Sequence, residues 1–216
     1  MIRMTRKYIE FSDKTIEPPF TIIKPGVSEK EFFEFATEDI SCELIEGVLV
    51  IHSPASLKHE SIFGFLFTIF NLFLKRTDQG KVIGSRFFMR LGPTLIFEPD
   101  LLVVLPSSYS KLRPTYLDGP SDFLIEILSP STQETDLTKK IPYYLEKGVK
   151  EIWVIDPTLE ELTVFMPKDR IKKYTDSKIV KSMVIKGFWI KLEWLWNIDN
   201  VNPLDCFNEI LKQESI

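Results

Sequence analysis

The longest apolar stretch of the chain predicts a buried helix. Residues 61–74 read SIFGFLFTIFNLFL, and the pattern indicates a helix from 56 to about 75. The apolar stretch is shorter than the roughly 20 residues that a membrane-spanning helix needs, and charged residues flank it on both sides. We therefore expect a core helix and no membrane span.

A strand, a helix and a second strand follow one another in the second half of the chain. Residues 123–128 (FLIEIL) predict a strand, SPST a turn, residues 139–147 a helix that stops at Gly148, and residues 151–155 (EIWVI) another strand. A connection of this kind implies a right-handed crossover between parallel strands. This unit indicates an α/β fold.

Shorter signals predict the remaining elements. Ser28 and Glu31 form a capping-box pattern at the start of a short helix over 31–36. Glu46-Gly47 joins two apolar runs, which is typical of a tight hairpin. The other predicted elements are strands at 81–91, 101–105, 162–165 and 188–192 and a C-terminal helix at 204–212.

Prolines divide the chain into two predicted regions. Pro18, Pro19 and Pro25 interrupt any regular period, so we predict that residues 1–26 form an irregular N-terminal extension. Residues 27–216 are predicted to form a single α/β domain, in which helices flank a mixed central sheet.

Composition excludes several classes of protein. Hydrophobic residues make up 44% and charged residues 27% of the 216 residues, which is typical of globular domains and excludes a disordered tail, a collagen-like fibre and a disulfide scaffold. The net charge is −4, from 27 Lys and Arg against 31 Asp and Glu. Total charge therefore gives no support to a basic surface over the whole protein.

The cysteines and histidines limit the possible metal chemistry. Cys42 and Cys206 are far apart and show no metal-ligand spacing. We expect reduced, buried thiols in a cytoplasmic protein, because no apolar signal segment follows the basic N-terminus. With only His52 and His59 besides, a zinc site is not expected, so a metal would be held by oxygen ligands. His59 is predicted to be partly buried and hydrogen-bonded rather than catalytic.

Two acidic residues conflict with their apolar surroundings. Asp100 follows Pro99 and opens the run LLVVL, and Glu126 lies in the middle of FLIEIL. A carboxylate in a central strand is costly unless it is paired, hydrogen-bonded or bound to a metal. Both residues could serve structure alone, Glu126 through a Lys or Arg partner and Asp100 as the cap of a turn.

The alternative is that these carboxylates bind a divalent metal ion. Two carboxylates on adjacent strands suit Mg²⁺, which takes few protein ligands and keeps positions for water and phosphate. Such an ion could activate water for attack on a phosphodiester. A nearby ammonium would stabilise the negative charge of the transition state, and Lys139 and Lys140 are the candidates.

These segments resemble a known family. EPDLLVV, DFLIEILSPST and DLTKKIPYYLEKGVKEIWVIDP, together with the upstream CELIEGVLVIHSP, are similar to motifs of the Uma-two family of restriction endonuclease-like proteins, in the PD-(D/E)XK nuclease superfamily. The resemblance covers residues 27–165 and implies a restriction endonuclease-like core with metal-dependent hydrolysis of phosphodiester bonds.

The resemblance also assigns roles to residues. It implies that Asp100 and Glu126 bind Mg²⁺ or Mn²⁺ with the backbone carbonyl of Ile127, and that Glu43 assists in the carboxylate cluster. The superfamily pattern places a lysine two residues after Glu126, where this chain has Leu128. The family match indicates instead that Lys140, rather than Lys139, is the catalytic lysine.

A basic segment near the C-terminus has two possible explanations. Residues 168–191 contain eight Lys or Arg and two Asp, with aromatic residues among them. Such a segment could follow a phosphate backbone, or it could be a solvated hairpin whose lysines keep a sheet edge from pairing.

Two hypotheses about function follow. The first is a divalent-metal-dependent endonuclease acting on DNA, for which a homodimer would supply the two active sites that two DNA strands need. The second is a catalytically inactive module of the same fold that binds nucleic acid or mediates oligomerisation.

Overall fold

The computed structural model describes most of the chain, with a few short gaps. The backbone is described for residues 3–5, 8–10, 20–37, 40–84, 86–129, 139–176 and 178–213. In chain order the strands are β1 (Arg3–Thr5), β2 (Tyr8–Glu10), β3 (Thr21–Pro25), β4 (Cys42–Ile45), β5 (Val48–His52), β6 (Lys81–Gly84), β7 (Phe88–Gly92), β8 (Leu95–Phe97), β9 (Leu101–Val104), β10 (Tyr116–Asp118), β11 (Phe123–Ile127), β12 (Glu151–Asp156), β13 (Glu161–Met166), β14 (Arg170–Tyr174), β15 (Ile179–Lys181) and β16 (Trp189–Lys191).

Helices connect and cover these strands. The α-helices are α1 (Glu29–Phe35), α2 (Leu57–Thr77), α3 (Ile141–Lys147), α4 (Leu192–Trp196) and α5 (Pro203–Gln213), and 3₁₀ helices occur at Pro106–Lys111 and Ile198–Asn200.

The central sheet has the strand order β14-β13-β12-β11-β9-β6. Only β11 and β12 are parallel in this sheet, with Phe123 opposite Glu151, and the other neighbours are antiparallel. The predicted parallel pair on either side of a helix is therefore confirmed, and so is the mixed α/β fold. Of the turn predicted at SPST, Ser129 is described, and the other three residues lie outside the described part of the chain.

A second sheet has the order β10-β7-β8-β4-β5-β3. The prediction that residues 1–26 are irregular is wrong for three strands. Strand β3 pairs with β5 in antiparallel register, and β1 pairs with β2. The prediction of a single strand over 81–91 is also wrong, because β6 joins the central sheet and β7 joins the second sheet. Between them Arg86 has a φ of 72°, a left-handed conformation that an extended strand does not contain.

Helix α2 packs one face against the central sheet. Phe70 lies with its ring centroid 5.3 Å from that of Phe123 and 6.2 Å from that of Trp153. By length and composition α2 could cross a membrane, but its apolar face belongs to the protein core, as predicted. The buried residues of this face are Ile62, Phe65, Leu66, Ile69, Phe70, Phe73 and Leu74.

The local signals of the sequence are found where they were predicted. Ser28 and Glu31 make both hydrogen bonds of a capping box on α1. Glu46 and Gly47 have φ angles of 53° and 77°, which suits a two-residue hairpin. Gly148 ends α3 in a left-handed conformation. Both cysteines are free and buried, as expected.

Candidate active site

Asp100 and Glu126 meet across the antiparallel strands β9 and β11. Leu124 lies opposite Leu102 and Ile125 opposite Leu101, so the next pair in this register is Glu126 and Asp100. One oxygen of Asp100, Oδ2, accepts a hydrogen bond of 2.7 Å from the backbone N–H of Ile127. The two acidic residues predicted from the sequence are therefore neighbours at one end of the central sheet.

Lys140 joins this pair from the start of helix α3. Its Nζ lies 3.1 Å from Oε1 of Glu126 and 2.9 Å from Oε1 of Glu43. Only 4% of Lys140 is exposed to solvent, whereas Lys139 is exposed. Of the two candidate lysines, the structure brings Lys140 to the carboxylates, and its catalytic role stays a prediction.

Glu43 reaches Lys140 from the second sheet. It lies on β4, where its Oε1 also accepts from the backbone N–H of Glu98 at 3.0 Å and its Oε2 lies 3.1 Å from Nε2 of His52. Burial raises the pKa of Glu43, but the charge of Lys140 and then the contacts with His52 outweigh burial and bring this pKa to about 2. Glu43 is therefore ionised at neutral pH.

Tyr144 fixes Glu126 from the same helix. It follows Lys140 by four positions, so the two side chains share a helical face. The Tyr144 hydroxyl donates a 2.6 Å hydrogen bond to Oε1 of Glu126. Burial, and then the nearby charge of Glu126, raise the pKa of Tyr144 well above 10, so the hydroxyl keeps its proton.

His59 contacts the site from the first turn of α2. Its Nε2 lies 3.2 Å from Oδ1 of Asp100 and its Nδ1 lies 3.3 Å from Glu60. Burial lowers the pKa of His59, but the hydrogen bond and charge of Asp100 more than offset burial and raise this pKa above 6.5. The prediction of a partly buried, hydrogen-bonded histidine is confirmed, although sequence reasoning did not connect it with Asp100.

Other acidic and polar residues near the site have structural partners. Glu98 accepts hydrogen bonds from the side chain of Ser41 and the backbone of Cys42. Glu46 lies in the β4–β5 turn, as predicted, and accepts a 2.5 Å hydrogen bond from the hydroxyl of Tyr143. Sequence reasoning missed the contacts of His52, Tyr144 and Glu98. Of these three residues, Tyr144 could have been identified from the sequence as a neighbour of the site, because it lies four positions after Lys140.

A family model covers most of the chain that contains this site. The model described as "Putative restriction endonuclease", named Uma2, matches residues 29–193. The chain belongs to the Uma2 family. The resemblance stated from the sequence motifs is therefore confirmed, and the Uma2 assignment makes this a nuclease-like protein.

A solved structure has the same fold as this Uma2 protein. A protein from Anabaena variabilis, described as a "putative nuclease belonging to DUF820", superposes with a TM-score of 0.72 at 21% sequence identity. The match covers 80% of this chain and 98% of the other. A comparison with curated proteins finds no match. The structural likeness supports the nuclease-like fold.

The donor atoms of the Uma2 site are oxygens, the type that a hard divalent cation prefers. We call Glu43, Asp100, Glu126 and Lys140 the carboxylate–lysine cluster. In the described part of the chain, no group of three or more His, Cys, Asp or Glu side chains is arranged to hold a metal ion. Mg²⁺ in proteins is held by one or two carboxylates, with water and phosphate completing its shell, and Asp100 and Glu126 carry donor groups of this type.

The stability of the folded protein should depend on the ionisation of Glu43. Its pKa falls from 4.5 to about 2 on folding, so its ionised form stabilises the protein above pH 4.5, and this contribution is lost as the pH falls towards 2. We expect the stability difference between the parent and Glu43→Gln to shrink by about 2 kcal/mol between pH 6 and pH 3. Urea denaturation at both pH values measures it, and an equal difference at the two would contradict the prediction.

Proposed function

We propose that this protein is an endonuclease that hydrolyses phosphodiester bonds of DNA with Mg²⁺ or Mn²⁺. The observation that carries the proposal is the charge balance of the carboxylate–lysine cluster. Within the described residues, Glu43 and Glu126 contact the ammonium of Lys140, and Asp100 lies beside Glu126 in the strand register, so the carboxylates outnumber the lysine ammonium. Such an excess in a largely buried site favours the binding of a cation.

The ligands of this cation would be oxygen atoms at the ends of β9 and β11. Asp100 and Glu126 would supply carboxylate oxygens and Ile127 its backbone carbonyl. When bound, the cation supplies Lewis-acid polarisation of a phosphodiester oxygen and a lowered pKa for an attacking water.

Lys140 would stabilise the negative charge that develops on the phosphate. Its ammonium is held by Glu43 and Glu126 at 2.9 and 3.1 Å, so little reorganisation is needed when charge forms in the transition state. Glu43 then acts as a positioning residue, because it contacts Lys140 and is itself held by His52 and the backbone of Glu98. Tyr144 would likewise position Glu126, through the hydrogen bond that its hydroxyl donates to Oε1.

Plasmid cleavage tests the proposal directly. Purified parent protein and Asp100→Ala are incubated with supercoiled plasmid in Mg²⁺, in Mn²⁺ and in EDTA. We expect nicked or linear products from the parent only when metal is present, and none from Asp100→Ala. Equal cleavage by parent and variant would identify a contaminating nuclease, and no cleavage by the parent would count against an active enzyme.

One observation favours the second hypothesis, a catalytically inactive module. In the described residues Lys140 bridges two of the carboxylates, and an ammonium in that position can compensate their charge without a metal. The two hypotheses differ in metal binding, because a ligand that binds only the native state raises the unfolding temperature. A thermal shift with Mg²⁺ or Mn²⁺ that disappears in Asp100→Ala supports the enzyme, and the absence of any shift supports the module.

A further inference from the structure

The outer strand of the central sheet carries a basic surface. Strand β14 ends the sheet order, and its first four residues are exposed. Arg170, Lys172 and Lys173 lie on this strand and the exposed Lys168 in the turn before it. We call these four residues the basic edge. The endonuclease function proposed above involves the carboxylate–lysine cluster and gives this surface no role.

Strand register places the basic edge in line with the candidate active site. Glu126 pairs with Val154, Val154 with Thr163, and Thr163 with Lys173. Residues paired in this way lie on the same face of a sheet, so Lys173 and Glu126 face the same side. Three strand spacings of about 4.8 Å separate them, or roughly 14 Å.

We propose that the basic edge binds the backbone of duplex DNA whose scissile phosphate lies at the carboxylate–lysine cluster. The inference rests on the endonuclease function proposed above. A separation of roughly 14 Å corresponds to about four base-pair steps of 3.4 Å. Lys173, on the same face as Glu126, would then contact a phosphate about four steps from the bond that is cut. Lys172 and Arg170 alternate to the other face of the strand, and with Lys168 in the turn they extend the contact around the exposed edge.

The present contacts of these lysines do not prevent phosphate binding. Lys173 forms an ion pair of 2.7 Å with Glu161, but its side chain is 58% exposed, and exposed ion pairs contribute little to stability. Lys172 lies over the ring of Tyr174, 4.7 Å from its centroid, where its ammonium can still reach an anion. A phosphate can therefore replace the Glu161 carboxylate at little cost.

A second explanation for the basic edge is protection of the sheet. Lysines on an outer strand hinder its pairing with the strands of other molecules. This explanation predicts aggregation when the lysines are neutralised, and no change in DNA affinity. The two explanations therefore differ in a measurable way.

The test compares two double variants with the same loss of charge. Lys172→Gln/Lys173→Gln neutralises the basic edge, and the control Lys75→Gln/Arg76→Gln neutralises two exposed residues in the last turn of α2. The control positions lie roughly 25 Å along α2 from His59, at 1.5 Å per residue. Binding to a fluorescein-labelled duplex is measured by fluorescence anisotropy in EDTA over a range of NaCl concentrations, so that metal-dependent cleavage does not interfere.

We expect the basic-edge variant to lose at least about tenfold in affinity at 0.1 M salt, and the slope of log K against log salt concentration to fall by about 2. The control should bind like the parent. Unchanged binding by the basic-edge variant, or equal losses in both variants, would overturn the inference, as would a parent that binds no duplex. A parent that binds through the basic edge but does not cut in Mg²⁺ or Mn²⁺ would support this surface and reject the endonuclease.

Discussion

Replacing Lys140 by methionine is expected to lower the free energy of unfolding by about 3–5 kcal/mol, because the change leaves two buried carboxylates without their shared partner. Glu43 and Glu126 are 1% and 2% exposed, so water cannot replace the ammonium. For a chain of about 200 residues this loss corresponds to a fall in melting temperature of roughly 6–20 °C. The same variant should lose the proposed nuclease activity.

Lys139→Met is the matched control, since Lys139 is the exposed neighbour of Lys140. A surface change of this kind should alter stability by no more than about 0.5 kcal/mol. Adding Glu43→Gln to Lys140→Met should restore part of the lost stability, because one of the two buried charges is then gone. If Lys140→Met unfolded at the same temperature as the parent, the ammonium would not be compensating these carboxylates.

Replacing Glu126 by glutamine is expected to reduce DNA cleavage at least about 100-fold, which corresponds to roughly 2.7 kcal/mol of transition-state stabilisation. The amide keeps an oxygen that can accept the hydrogen bond from Tyr144, but it removes the negative charge proposed to hold the cation. The rate of plasmid nicking in Mg²⁺ under single-turnover conditions measures the effect.

Asp122 offers a control with similar burial and a different role. It lies four positions before Glu126 and is 2% exposed. Its carboxylate accepts from Lys150 at 2.6 Å and from the backbone N–H of Leu105 at 2.9 Å. Asp122→Asn should cost stability and leave the cleavage rate near that of the parent. Equal loss of cleavage in Glu126→Gln and Asp122→Asn would attribute the effect to damaged folding rather than to the site.

Local chemistry explains which parts of the fold could be predicted from the sequence. The capping box at Ser28, the hairpin at Glu46-Gly47 and the stop at Gly148 depend on a few adjacent residues, so the sequence alone predicts them. The division of 81–91 between two sheets depends on the pairing of β6 with β9 and of β7 with β10, and no short pattern specifies these partners. The same holds for β3, whose place is fixed by its pairing with β5.

In the candidate site, too, the sequence predicts some residues, whereas their contacts depend on tertiary packing. Glu126 could be identified because a charge in an apolar strand conflicts with its neighbours. The contact of Lys140 with both Glu43 and Glu126 depends on how α3 and the two sheets pack together, which spacing does not reveal. The pattern identified His59 as a residue of α2, but its contact with Asp100 arises from where the first turn of α2 lies.

The contacts of Lys140 with Glu43 and Glu126 determine when, during folding, the candidate site is assembled. Glu126 belongs to the central sheet and Lys140 lies directly before α3, whereas Glu43 belongs to the second sheet and lies far from both in the chain. A newly made chain in which only the central sheet has formed lacks the contact of Glu43 with Lys140, so the proposed positioning of this lysine is complete only after both sheets have docked.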